Sequence, residues 1–287
     1  MSEALVLRPV TASDARVLGP ICYEAFRAIA ERHGFPPDLP SPEFATGLIE
    51  FLVARDGIHG VAAELGGRLV GSNFVDERST IAGIGPITVD PGVQDRSVGR
   101  RLMDAVLARV AERGSPGVRL VQAAYHNRSL SLYTKLGFDP VEPLSTLQGQ
   151  PIGAAIPGHD VRAGRPADLD ACDALCRRVH GHDRHGEVRD ALAAGQVSVV
   201  EHDGRLTGYT TGVAFFGHTV GETNEDVKAL VGAATAFAGP GFLLPTRNST
   251  LLRWCLERGL RIVQPMTLMA RGLYNEPRGA FLPSIMY

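Results

Sequence analysis

Residues 89–103, VDPGVQDRSVGRRLM, connect an apolar run to a basic helix through a short polar loop. The first amides of a helix have no partner within the helix, and they lie at the positive end of a dipole of about half a charge. When a tight loop of small residues leads into such a helix, several N–H groups can converge on one anion. The pattern therefore indicates a site for a diphosphate, and a plain strand-to-helix connection is the alternative.

The side chains of this loop suit an anion. Gly99 would let a phosphate approach the backbone closely. Three arginines would add positive charge: Arg96, Arg100 and Arg101. The loop is not a P-loop, because no Gly-Lys-Ser/Thr follows, and it is not the G-x-G-x-x-G fingerprint of a dinucleotide site.

Alternating and helical patterns predict the elements that position this loop. In chain order they are a β-hairpin over 60–77 across a Gly-Gly turn, a buried strand over 81–89, a helix that starts at 98 and is stopped by Gly114 and Pro116, a strand over 118–124, a helix over 127–136 and a strand over 138–147.

The second half of the chain repeats the first. The segment LGFDPVEPLST (136–146) aligns with RGLRIVQPMTL (258–268) at a constant offset of 122 residues, and this alignment pairs Gly137 with Gly259. A fixed offset over such a window indicates a duplicated unit. Between the copies, residues 149–160 are rich in Gly, Pro and Ala, a linker composition. We predict a first domain over 1–150, a linker over 151–159 and a second domain over 160–287.

Two linked motifs in the first unit resemble the GNAT superfamily of N-acetyltransferases. The stretch V-D-P-G-V-Q-D-R-S-V-G-R-R-L resembles the acyl-CoA-binding motif of that superfamily, V-x-P-x-x-Q/R-x-x-G-x-G/A, and NRSLSLYTKLGF (127–138) resembles the motif that follows it. The resemblance covers about residues 5–148. It implies an α+β, or mixed α/β, fold of two GNAT-like domains, each a twisted mixed sheet flanked by helices. The central strands of the first domain would splay apart to admit acetyl-CoA.

The resemblance also implies a reaction and assigns roles in it. An acetyl group would pass from acetyl-CoA, the co-substrate, to an amine of a small molecule or peptide by direct attack, in the first domain. Tyr133 would be the general acid, with packing at a helix end as its alternative, and Asn127 would bind the pantetheine arm, serve as a helix N-cap, or both. A backbone N–H within the splayed strand would hold the thioester carbonyl, and the loop would hold the diphosphate. The predicted cofactor-binding residues are Ile87, Thr88, Val89, Gln94, Asp95, Arg96, Ser97, Val98, Gly99, Arg100 and Asn127.

A general base is not evident in this pattern. The strand over 81–89 carries no carboxylate, and the strand ends nearby offer Asp76, Glu77, Tyr125 and His126, each of which is more typical of a solvated loop. Members of the family often use a water chain instead. The missing carboxylate favours the alternative function, a non-catalytic acyl-CoA-binding sensor or regulator.

Ser97 departs from the family motif, which usually has glycine at this position. With a negative φ, serine fits without strain and its hydroxyl can cap the helix or donate to a phosphate. With a positive φ, serine would weaken cofactor binding. The first case is expected, because serine is common at helix starts.

The second unit lacks the cofactor motif. Its counterpart segment, VGETNEDVKALVGAATAF (220–237), is helix-like, and Cys255 stands at the position equivalent to Tyr133. We expect a degenerate repeat that does not bind acetyl-CoA. Its apolar tail (280–287) would either shape the acceptor pocket or only cover apolar surface. The proline-rich stretch HGFPPDLPSP (33–42) is expected to form a rigid lid over the cleft.

Composition excludes several classes of protein. The formal charge of −2 gives no reason to expect a nucleic-acid-binding protein. The sequence contains no apolar run of 18 or more residues, so a membrane span is not expected. The N-terminus has no signal-peptide pattern, so a cytoplasmic protein is expected. Four cysteines are too sparse for a disulfide framework, and Cys172 and Cys176 are predicted to be buried thiols. The run HGHDRHG (180–186) fits no standard metal spacing, so we expect a solvated loop and no metal.

Overall fold

The computed structural model describes residues 4–93 and 97–287. In the first half, the strands and helices are β1 (Leu5–Pro9), α1 (Ala15–Arg32), α2 (Pro42–Val53), β2 (Ile58–Leu65), β3 (Arg68–Asp76), β4 (Ala82–Ile84), β5 (Thr88–Val89), α3 (Val98–Glu112), β6 (Gly117–Ala123), α4 (Asn127–Lys135) and β7 (Asp139–Gln148). In the second half, they are β8 (Asp160–Ala163), α5 (Leu169–His180), α6 (His185–Ala193), β9 (Ser198–His202), β10 (Arg205–Thr210), β11 (Thr219–Gly221), α7 (Asn224–Ala233), β12 (Phe242–Pro245), α8 (Ser249–Glu257), β13 (Arg261–Gly272) and β14 (Ala280–Leu282).

The order of elements in the first half occurs again in the second half. Each half starts with a strand and two helices, continues with a hairpin and a further strand, and then has helix, strand, helix and strand. Among the described elements, the short β5 occurs only in the first half, and β14 follows only in the second. The duplication predicted from the offset of 122 residues is therefore confirmed, and so is the mixed α/β class. The structure has no described helix long and apolar enough to cross a lipid bilayer.

The two halves share one sheet. Nine strands run in the order β1-β2-β3-β4-β6-β13-β7-β12, with β5 paired to β3, and the other strands form a second sheet in the order β14-β11-β10-β9-β8. Strand β13 of the second half lies between β6 and β7 of the first half and is antiparallel to both. Since β13 is the counterpart of β7, the halves have exchanged their last strands. The domain bounds given above stay a prediction, and the shared sheet runs across them.

The strands at the centre of the first half separate as predicted. Strand β4 is parallel to β6 only through the pairs Ala82–Val118 and Gly83–Arg119. The predicted strand over 81–89 is interrupted after Ile84, and its second part, β5, pairs with β3 alone. A gap therefore opens between residues 84–89 and 120–123.

Packing on the two faces of the sheet follows the amphipathic pattern of the helices. On one face, α3 buries an apolar stripe of Val98, Leu102, Val106 and Val110 against the strands. On the other face, α1 and α2 pack together over Phe74. The core under α3 also contains Met269, which is fully buried and belongs to β13 of the second half.

If β13 completes the core of the first half, Met269→Ala will lower the free energy of unfolding by about 2–5 kcal/mol, the usual cost of a cavity at a buried methionine. Leu256→Ala, at a side chain 41% exposed on α8, serves as the control and should cost less than about 1 kcal/mol. Urea unfolding of both variants measures the difference. If both variants lose the same small amount of unfolding free energy, the exchanged strand does not stabilise that core.

Candidate active site

A cavity of about 320 Å³ occupies the gap between the separated strands. Its walls come from both halves of the chain. The first half supplies β5, the start of α3, the end of β6, α4 and part of the lid, and the second half supplies Phe215, Phe216, Met266, Ile285 and Met286. The apolar tail therefore does form part of the cavity wall.

Seven of the residues predicted for the site border this cavity. They are Ile87, Thr88, Val89, Ser97, Val98, Gly99 and Tyr133. Gln94, Asp95 and Arg96 lie outside the described residues. Arg100 and Asn127 are exposed and do not border the cavity, and the guanidinium of Arg101 donates to the carbonyl of Leu5 at 2.9 Å.

Val98 and Gly99, at the start of α3, border the cavity. Among the described residues, no side chain caps this helix, and its first turn contains no acidic residue. The first amides of such a helix can bind an anion. The diphosphate site at this helix stays a prediction, and its position at the edge of the cavity agrees with a cofactor whose thioester end enters the gap.

The equivalent helix of the second half, α7, is closed by its own side chains. The hydroxyl of Thr223 accepts from the amide of Asp226 at 3.4 Å, and the Asp226 carboxylate accepts from the amide of Thr223 at 2.8 Å. Asp226 is 1% exposed, so a carboxylate already occupies the positive end of this helix. Cys255, at the position equivalent to Tyr133, is fully buried. These contacts give a physical reason why the second half would not take a diphosphate.

Ser97 adopts the conformation that the sequence analysis did not expect. Its φ is +61° and its ψ is +13°, in the left-handed region, and its side chain makes no cap. The expectation of a negative φ was wrong, and the preference of serine for helix starts did not decide its backbone conformation here. Glycine, the residue usual in the family motif, has no Cβ and adopts this conformation without cost.

Tyr133 lies on α4 and is 7% exposed, with its ring against Phe138 at a centroid distance of 6.3 Å. Its hydroxyl has no hydrogen-bond partner among the described residues. Burial raises the pKa of Tyr133, so the phenol keeps its proton at neutral pH. A protonated phenol beside the cavity suits a general acid.

Asn127 is the first residue of α4, and the N-cap is His126. The alternative of Asn127 as an N-cap is therefore wrong, because the helix begins one residue earlier than that role requires. Binding of the pantetheine arm by Asn127 stays a prediction.

The base candidates of the sequence analysis separate into two pairs. Asp76 pairs with Arg78 at 2.5 Å and Glu77 pairs with Arg109 at 2.9 Å, and neither borders the cavity. Glu77 is not solvated, since its side chain is 4% exposed. Tyr125 and His126 do border the cavity. Burial and then the nearby charges of Arg128, His33 and Arg32 lower the pKa of His126 to about 4.

Sequence reasoning missed three polar side chains at or beside the cavity: Asp38, Gln122 and Gln264. Asp38 borders the cavity from the lid, and its Oδ1 accepts from Nε2 of Gln264 at 2.6 Å. Gln122 borders the cavity at the end of β6; its Oε1 accepts from Ser129 at 2.9 Å, while its buried Nε2 has no partner among the described residues. Asp38 could have been identified from the sequence, because it is the one acidic residue in the predicted lid over 33–42.

The run over 180–186 is not a solvated loop. His182 and Arg184 are each 7% exposed, and Nε2 of His182 lies 3.0 Å from the hydroxyl of Tyr287. The expectation failed because the last residues of the chain fold back over this segment. Within the described part of the chain, no group of three His, Cys, Asp or Glu side chains is placed to bind a metal. All four cysteines are buried and free, as predicted for Cys172 and Cys176.

Comparison with known proteins agrees with this geometry. Residues 23–138 match the model of the acetyltransferase (GNAT) family. A mycothiol acetyltransferase of Nocardia farcinica is 38% identical over 65 residues, a match that covers 23% of this chain and 22% of that protein. The chain thus matches about a fifth of that relative's length.

Two solved structures share the fold over nearly the whole chain. A putative acetyltransferase from Pyrococcus horikoshii has a TM-score of 0.72 and 16% identity, and the alignment covers 99% of this chain and 92% of that one. A tandem GNAT protein from the clavulanic acid biosynthesis pathway has a TM-score of 0.55 and 14% identity over 94% and 98% of the two chains. The fold of two GNAT-like domains is therefore confirmed.

The left-handed backbone at position 97 predicts an order of stability among variants. A non-glycine residue pays about 1–2 kcal/mol there, and the greater freedom of glycine in the unfolded chain offsets up to about 1 kcal/mol. Ser97→Gly should therefore raise the free energy of unfolding by up to about 1 kcal/mol. Ser97→Val should lower it by at least about 1 kcal/mol, since β-branched residues tolerate this region worst. Urea unfolding checks the order, and a valine variant as stable as the wild type would contradict it.

Proposed function

We propose that this protein is an acetyl-CoA-dependent N-acetyltransferase whose chemistry takes place in the first half, where residues 23–138 match the model of the acetyltransferase (GNAT) family. The acceptor is an amine of a small molecule or a peptide. The observation that carries the proposal is the contrast between two equivalent helices. No described side chain caps the start of α3, which borders the cavity, whereas Asp226 caps the start of α7.

The residues of the cavity suit an acetyl-CoA molecule that enters between β5 and β6. The amides at the start of α3 bind the diphosphate, which brings two or more negative charges to the positive end of the helix. The Nε2 of Gln122 is a buried polar group at the cavity with no partner among the described residues. Such a group is costly unless a ligand or water satisfies it, so it supports a polar ligand in the gap.

The reaction is direct transfer. The amine nitrogen attacks the thioester carbon, a C–N bond forms, and the C–S bond breaks. A backbone N–H within residues 87–89 stabilises the oxyanion as charge develops on the carbonyl oxygen. Tyr133 gives its proton to the leaving sulfur, because burial holds this phenol in its protonated form.

Binding of CoA at the start of α3 predicts a specific effect at Gly99. A Cβ at this position meets its nearest neighbours at 3.9 Å, so the protein has room for a side chain. Gly99→Glu places a negative charge beside the diphosphate and should weaken CoA binding at least about 30-fold. Gly99→Ala, the matched control, should weaken it less than about five-fold. Calorimetry measures the affinity of both variants for CoA. Equal affinities would contradict an anion site at this helix.

The general-acid role predicts that Tyr133→Phe lowers turnover at least about ten-fold and changes the Kd for acetyl-CoA less than about three-fold. The ring and its packing against Phe138 remain, so only the proton donor is lost. Release of the CoA thiol, followed with a thiol reagent at saturating acetyl-CoA, measures turnover. An unchanged rate would refute the role. A wild-type protein that binds CoA and releases no thiol with any amine would instead be the sensor named above.

A further inference from the structure

We propose that Asp38 binds the acceptor amine as a cation and takes its proton, and that the acceptor is an amine with an apolar body. The inference rests on the proposed function and names the substrate class of the same cavity. Its basis is the position of Asp38, the contacts that fix it and the composition of the wall around it.

Asp38 is the sole carboxylate among the described residues that border the cavity. It belongs to the proline-rich lid, which is held in place by Phe35. The ring of Phe35 stacks on Tyr125 at a centroid distance of 4.3 Å and an interplanar angle of 12°. The lid therefore presents the carboxylate from a fixed backbone, which lowers the entropy lost when a ligand binds.

A side chain of the exchanged strand orients this carboxylate. Gln264 on β13 is 1% exposed, donates to Oδ1 of Asp38 at 2.6 Å, and accepts from the hydroxyl of Tyr125 at 3.3 Å. The other oxygen, Oδ2, has no partner among the described residues. One oxygen is thus fixed by the protein, and the second is available to accept from an ammonium group.

The carboxylate also lies near the strand that would hold the thioester. Asp38 and Thr88 both border the cavity, and Thr88 belongs to the segment over 87–89 that would bind the thioester carbonyl. An amine at Oδ2 would therefore share the cavity with the carbon that it attacks.

The rest of the acceptor side is apolar. Side chains from both halves form this wall: Phe26, Leu48, Phe216, Met266, Ile285 and Met286. Burial of apolar surface against such a wall stabilises a complex by about 25 cal/mol per Å². A buried ammonium needs a counter-ion, and Asp38 supplies it. An acidic acceptor would bring a second negative charge to Asp38, so carboxylate-bearing amines are disfavoured.

Asp38 can also act as the proton acceptor of this cavity. An alkyl ammonium of pKa about 10.4 has only about one molecule in 2,500 deprotonated at pH 7. Burial raises the pKa of Asp38, whereas the imidazole of His126, with a pKa lowered to about 4, holds a proton weakly. The groups that face Asp38 are Cys22 on α1, Tyr125 after β6 and Gln264 on β13, none of which carries a charge at neutral pH.

The step balances in protons and bonds. The ammonium gives one proton to Oδ2 of Asp38, the nitrogen forms the C–N bond, and the C–S bond breaks. Tyr133 protonates the sulfur, and the second proton lost by the nitrogen restores Tyr133 through solvent. Asp38 then releases its proton to water. The products are the amide, the CoA thiol and one proton.

Binding without reaction tests the cation site first. Phenethyltrimethylammonium carries a permanent charge on an apolar body and cannot be acetylated, and 2-phenylethanol is its neutral counterpart. Asp38→Asn should weaken binding of the cation at least about ten-fold and leave binding of the alcohol within about two-fold. Asp38→Glu keeps the charge and should retain most of the cation affinity. Equal cation affinities for the wild type and Asp38→Asn would overturn the proposal.

Turnover with phenethylamine tests the proton transfer. Asp38→Asn should lower the rate about 100-fold and remove the part of its rise with pH that accompanies ionisation of Asp38, whose pKa burial raises. The rise that follows deprotonation of the free amine should remain in the variant. Calorimetry with CoA should give the wild-type affinity for this variant, which also shows that the variant is folded. An unchanged rate, or faster turnover of glutamate than of phenethylamine, would overturn the inference alone. Absence of CoA binding by the wild type would overturn the proposed function.

Discussion

The candidate site depends on one arrangement of backbone, the start of α3, which no described side chain caps, beside two strands that separate after two residue pairs. Strand β4 pairs with β6 only at Ala82 and Gly83, and the chain then bends away to β5. The separation creates the cavity, and β5 forms part of its wall. An anion at the helix start and a carbonyl at β5 can therefore belong to the same extended ligand. Without the separated strands, the helix start would be an ordinary polar loop. Without the helix start, the gap would have no site for the diphosphate.

The duplicated fold shows that topology alone does not create this site. Helix α7 occupies the equivalent place in the second half, yet Thr223 and Asp226 satisfy its first amides from within the chain. A carboxylate 1% exposed at that position repels a diphosphate and excludes it from the same amides. The second half instead contributes structure to the first. Met269 completes its core, Met266 and the tail form part of the cavity wall, and Gln264 donates to Asp38, which borders the cavity.

Much of this could be predicted from local sequence. The stripe of Val98, Leu102 and Val106 determines α3, and Gly137 and Gly259 end equivalent helices 122 residues apart, with φ of +85° at both. The conformation of Ser97 could not be predicted, because the turn geometry overrides the preference of serine for helix starts. The exchange of β7 and β13 could not be predicted, because the two strands have similar apolar patterns and each could pair with β6. Asp38 and Gln264 are 226 residues apart in sequence, so only the shared sheet brings them together.

A crystal structure of the protein with bound CoA tests the central claim most directly. The account predicts electron density for a diphosphate against the amides of residues 98–100, with the pantetheine arm between β5 and β6 and the sulfur near Tyr133. The start of α7 should keep its contacts to Asp226 and hold no ligand. Density for the coenzyme at α7, or at α3 with the arm directed away from the gap, would contradict the account.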